Sequence, residues 1–149
     1  MIRKTFILYL LALVALGACS AKDSVTAVIR VTYGDPPQAS VDKYFSTTQR
    51  EVLTSQKFLR HIGQTLELPK LWKVSEEEVA ARLAKIITVE SGSEPGMIII
   101  EAKGLDHQLA VKVLNELCSF YADEKQGFAE SQNGGPLEKV HVEIVQRAE

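Results

Sequence analysis

Two cysteines, three histidines and one run of consecutive glutamates are the side chains of this chain whose types could carry nucleophilic, redox or metal chemistry. Cys19 stands where the apolar run FILYLLALVALGA ends, and Cys118 lies in LNELCSFY. No neighbour of Cys118 in sequence supplies the base or electropositive setting that makes a thiol reactive, so it reads as a small buried hydrophobe on a helix face. His61, His107 and His141 fall on three different elements with no second ligand at i+3 or i+4, unlike the tight spacing of a zinc site. Glu76, Glu77 and Glu78 invite a cation-binding reading. They also follow Ser75, where carboxylates in a helix's first turn meet its positive dipole end, and that account uses all three. Neither GSEPG nor QNGGP precedes a helix, so neither can present helix amides to a phosphate. No serine sits in a nucleophile elbow, and no pair of carboxylates is set apart from the scattered surface charge. The expectation is a protein that is not an enzyme and takes no metal or cofactor.

The first residues have the three parts of an export signal: a basic start at Arg3 and Lys4, an apolar run from Phe6 to Leu16, and small residues at Gly17 and Ala18. The run is shorter than the roughly 20 residues that cross a bilayer. Leu16, Gly17, Ala18 and Cys19 resemble a bacterial lipobox. That resemblance implies cleavage before Cys19, a diacylglycerol thioether on its sulfur and acylation of its new amino group; the alternative is an ordinary cleavage site beside a thiol. Residues 1–18 are then a lipoprotein signal peptide, residues 19–23 a lipid-anchored tether and residues 24–149 the folded domain. Ser20 after the cysteine favours the outer membrane over retention at the inner one. If Cys19 carries lipid, Cys118 has no partner in the chain and a disulfide framework is excluded. Loss of Arg3 and Lys4 lowers the basic count from 17 to 15 against 19 acidic residues, a net charge of −4. A mildly acidic domain without a basic stripe is a poor nucleic-acid binder.

The elements that would position these residues follow from periodicity. SVTAVIRVTY, residues 24–33, alternates as a strand, and GDPPQAS breaks it. Ser46 with Gln49 has capping-box spacing and opens a helical stretch, with Val52, Leu59, Ile62 and Leu66 on one face; Ser55 can recap it midway. Trp72, flanked by Leu68, Leu71 and Val74, reads as a plug in a helix connection, with an interfacial or ligand-stacking role as the alternative. Ser75 with Glu78 caps the next helix. ITVES and MIIIEA form a hairpin across GSEPG, Asp106 caps a helix with a broad apolar stripe, residues 126–138 read as loop, and KVHVEIVQ is a last strand. The order is strand, helix pair, strand, strand, helix, strand. The expected fold class is α+β: a ferredoxin-like, split βαβ, four-stranded sheet with helices on one face. Small phosphatases share that arrangement, but their arginine-bearing glycine loop after the first strand is absent here, where Arg30 lies within the strand and DPP follows.

From Tyr44 to Glu124 the chain resembles the periplasmic domain of Wzz-like polysaccharide chain-length determinants, the polysaccharide co-polymerases. The likeness rests on REVLTSQKFLRHIGQTLEL, on VSEEEVAARLAKIITVES and on GMIIIEAKGLDHQLAVKVLNELCSFYADEK, with Asn115 and Tyr121 at the family's asparagine and tyrosine positions; HVEIVQRA matches its last strand. The resemblance implies a non-enzymatic base domain close to the membrane. The tether of about five residues reaches under about 20 Å, which agrees. A lipidated cysteine stands where the family has its first membrane helix, the second is missing after Glu149, and a short loop replaces the long helices. These departures weaken the implication of direct control of polymer length. The expected function is a lipid-anchored envelope protein that assists surface polysaccharide synthesis or export. It would pack against itself or against a polymerase or export protein, through its open sheet face or loop 126–138. The alternative is a small-ligand or substrate-binding lipoprotein that uses the same face.

Overall fold

A computed structural model describes residues 24–34, 37–39, 44–128 and 140–149. The signal segment, Cys19, residues 129–138 of the expected contact loop and Lys139 of the expected last strand lie outside them. Strand β1 (Val25–Tyr33) is the hub of the sheet. Along one flank it pairs antiparallel with β4 (Met97–Ala102), from Val25 opposite Ala102 to Arg30 opposite Met97. Along the other it pairs antiparallel with β5 (Val140–Gln146). The hairpin partner of β4 is β3 (Ile87–Ser91), so the long strands run β3-β4-β1-β5, antiparallel throughout. A two-residue strand β2 (Gln38–Ala39) also pairs with Thr32 and Tyr33, which already face β5 on one side; β2 therefore continues the β4 side past that strand's end.

Alternation in β1 sends Val25, Ala27, Ile29 and Val31 into the core, joined by Ile98, Ile100 and Ala102 from β4 and by Ile87 and Val89 from β3. Among the described residues five helices supply the opposing layer: α1 (Phe45–Leu53), α2 (Gln56–Thr65), α3 (Leu68–Trp72), α4 (Glu76–Ile86) and α5 (His107–Phe128). Fully burying a side chain such as Leu59, Ile62 or Leu117 contributes about 1.5–3 kcal/mol, so this one apolar layer dominates the stability. Gly63 lets α2 and α4 touch, because a Cβ there would lie 2.9 Å from Val79 Cγ1.

Several helix ends follow the expected chemistry. Ser55 caps α2 and splits the stretch into two helices: its hydroxyl accepts from Phe58 N–H. Ser75 and Glu78 form a reciprocal capping box at α4, both bonds at 3.2 Å. Asp106 Oδ1 accepts from Leu109 N–H at the start of α5. The expected box of Ser46 and Gln49 does not form. Helix α1 begins two residues earlier than that cap would set, at Phe45, with Tyr44 as N-cap and no side-chain cap bond. Phe45 is buried and meets Tyr33 edge-on at 6.4 Å, an anchor that overrides the local capping preference. Residues 126–128, expected as loop, instead prolong α5.

Candidate functional site

The apolar helix-facing side chains of the long strands join the core cluster or pack against it, whereas Val28, Met97, Ile99 and Val145 stand outside it. They mark the other face of the sheet, the surface expected to make contacts. Register places Val28 beside Ile99 and Arg30 beside Met97, giving a small apolar centre across β1 and β4. Val28 is 9% exposed, while Val145 is 43% exposed. Val145 stands out because β5 carries an irregularity there: Ile144 pairs with Ile29, but Gln146 pairs with Val28.

Charge surrounds this centre. Arg30 is held at 2.7 Å by Glu94 and at 3.5 Å by Glu143, with Met97 Sδ 3.9 Å from its Nη2. Glu101 pairs with Lys103 at 2.9 Å; that bond, then one with Ser24, holds the Glu101 carboxyl below the usual carboxylate range. Thr26 and Thr88 oppose Glu101 on the two flanking strands, and Thr32 opposes His141. The result is a weakly apolar patch rimmed by paired charges and hydroxyls, suited to packing against another surface.

The remaining chemical candidates resolve into local structure. Cys118 is fully buried on α5, and burial pushes its thiol up to about 12, away from thiolate reactivity. His61 stacks on Phe120 at 3.7 Å between ring centres and contacts Glu116 at 3.2 Å, whereas His141 Nε2 lies 3.2 Å from the Gly34 carbonyl oxygen. His107 is exposed at the start of α5. Among the described residues no group of three or more His, Cys, Asp or Glu side chains is placed to hold a metal ion. The three glutamates have separate tasks: Glu76 accepts from Gln64, Glu77 pairs with Arg60, and Glu78 closes the cap. Trp72 is half-buried beneath the Arg82 guanidinium, 5.4 Å from its ring centre. Leu68 takes the fully buried plug position instead, and Leu71 is 61% exposed.

Asn115 and Tyr121, the two positions singled out in α5, act as internal clamps. Asn115 Nδ2 donates to the Ala148 carbonyl at 3.2 Å and Asn115 Oδ1 accepts from Ala148 N–H at 3.1 Å, tying the residues after β5 to α5. Tyr121 Oη donates to Gln49 Oε1 at 2.6 Å inside the core, linking α5 to α1. Its spacing from Ser46 makes Gln49 look like half of a cap, which the structure replaces with this core contact. The signal for its actual role is its place, four residues before Leu53 on the apolar side of α1. A scan of protein families and a search of characterised proteins each find no match for this chain.

Proposed function

We propose that this chain is a non-enzymatic, lipid-anchored envelope protein that supports synthesis or export of a surface polysaccharide. It would do so by packing its uncovered sheet face against itself or a longer polysaccharide polymerase or export protein. The observation that carries the packing role is that Val28, Met97, Ile99 and Val145 stand outside the packed cluster and that, among the described residues, the helices bury their apolar side chains on the opposite face of the sheet. A sheet with one unlayered face and an apolar centre gains from a partner. The polysaccharide context comes from the resemblance to co-polymerase base domains, and the clamps at Asn115 and Tyr121 give its two marked positions a reason to exist. The finer fold reading is the split βαβ arrangement. It is supported by β1 lying between β4 and β5, with β3 beyond β4.

Cys19 is the proposed anchor, on the periplasmic side of the outer membrane. Metabolic labelling with a clickable palmitate analogue tests it: label is expected on the wild type and absent from Cys19→Ala, and equal labelling overturns the anchor. Native mass spectrometry of the full chain in detergent tests the packing role. Assemblies are expected for the wild type and their loss for Ile99→Asp. A strict monomer that binds no protein of polysaccharide synthesis or export contradicts the scaffold.

A further inference from the structure

A second surface lies in the helical layer, away from the uncovered sheet face. The end of α1, the start of α2 and the C-terminal part of α5 enclose a cleft of about 440 Å³. That is the size of a small-molecule site. Its wall is Phe58, buried and braced by the Phe120 ring at 4.8 Å and the Tyr121 ring at 6.3 Å, with Val52 beside it. Aromatic bracing makes this wall a rigid apolar platform.

The charges around the cleft are unequal in their surroundings. Lys57 and Glu124 form an ion pair and cancel, and Glu51 is exposed to water. Lys125 is different. Its ammonium sits 5.5 Å from the Tyr121 ring centre, half-buried, and among the described residues no carboxylate lies within ion-pair distance of it. Burial lowers its pKa from the ordinary lysine value, which is the signature of a cation short of solvent. A bound anion would restore the lost solvation in a partly dry setting, where a charge-assisted contact is strong.

We infer that this cleft binds a small amphipathic anion, its apolar body against Phe58 and Val52 and its carboxylate, sulfonate or phosphate on the Lys125 ammonium. This site is independent of the sheet-face contacts and of the lipid anchor. The experiment is a titration of the full chain, isotope-labelled at valine methyls and held in a neutral maltoside detergent, with 2-naphthoate and with its uncharged counterpart 2-naphthamide. Saturable shifts of the Val52 methyls by 2-naphthoate are expected. Binding should be at least about tenfold weaker for 2-naphthamide, and for 2-naphthoate on Lys125→Gln, since one charge-assisted bond is lost. Lys125→Gln replaces a half-exposed side chain, and an unchanged circular dichroism melt verifies that it folds. Absence of saturable Val52 shifts, equal binding of the amide, or unchanged affinity in Lys125→Gln overturns the proposal.

Discussion

The Gln49–Tyr121 pair offers the sharpest test of how the helical layer is held. The hydroxyl and the amide oxygen are 2.6 Å apart, Tyr121 is fully buried, and Gln49 is 4% exposed. Neither group can turn to water when its partner is removed. Gln49→Leu strands a buried hydroxyl and is expected to cost about 2 kcal/mol, whereas Tyr121→Phe strands the amide oxygen at a cost of about 1 kcal/mol. The double substitution removes both polar groups and leaves apolar side chains of similar shape. It should therefore cost about 1–2 kcal/mol less than the sum of the single changes. Urea unfolding followed by far-ultraviolet circular dichroism measures all four proteins. For a domain of this size the Gln49→Leu loss corresponds to a fall in Tm of roughly 6 °C. Strict additivity of the two changes, or no destabilisation by either, would refute the reasoning, because it would mean the pair is not a buried mutual requirement.

Three further expectations follow from single contacts. Gly96 has φ near +77°, and a Cβ there would lie 2.5 Å from the Val31 carbonyl oxygen, so Gly96→Ala should cost roughly 2 kcal/mol or more in the same unfolding assay. Asn115→Ala should cost about 1–2 kcal/mol and expose the residues after β5 to carboxypeptidase, while Asn115→Asp keeps the acceptor for Ala148 N–H and should lose about half as much. The Cys118 thiol is raised from 9.0 to about 12 by burial, so the folded state holds its proton after the unfolded state has lost it. Stability from this group is full below about pH 9 and falls by about 1 kcal/mol per pH unit above it, towards pH 12. Unfolding measured between pH 8.5 and 9.5, where Tyr121 adds little slope of its own, should lose most of that dependence in Cys118→Ala.

Much of the fold was legible wherever a local pattern and the tertiary demand agree. Val25, Ala27, Ile29 and Val31 alternate because one side of β1 is covered, and Ser55, Ser75 and Asp106 cap because each precedes helix amides in need of an acceptor. The pattern fails where a distant contact decides. Phe45 begins α1 because Tyr33 receives its ring, a partner twelve residues away across a proline-rich break. Glu67 and Lys73 bracket α3 in the left-handed region, at φ 52° and 55°, although neither is a glycine or asparagine. Burial of Leu68 between them compensates that strain, and nothing in their residue types announces it. The uncovered face was legible as alternation, but its apolar centre depends on register: only the pairing of Val28 with Ile99 and of Arg30 with Met97 brings those side chains together. No sequence pattern marks Lys125, because its significance lies in its burial beside the cleft that α1, α2 and α5 form together and not in the helix that carries it.

The most direct test of the scaffold is a photo-reactive amino acid placed at Ile99 in the full, lipidated chain in living cells, with a second placed at exposed Lys85 on α4 as the control. The account expects adducts from position 99 to the chain itself or to a membrane protein of polysaccharide synthesis or export, and their loss in Cys19→Ala. Adducts to such proteins from Lys85 and none from position 99 would contradict it.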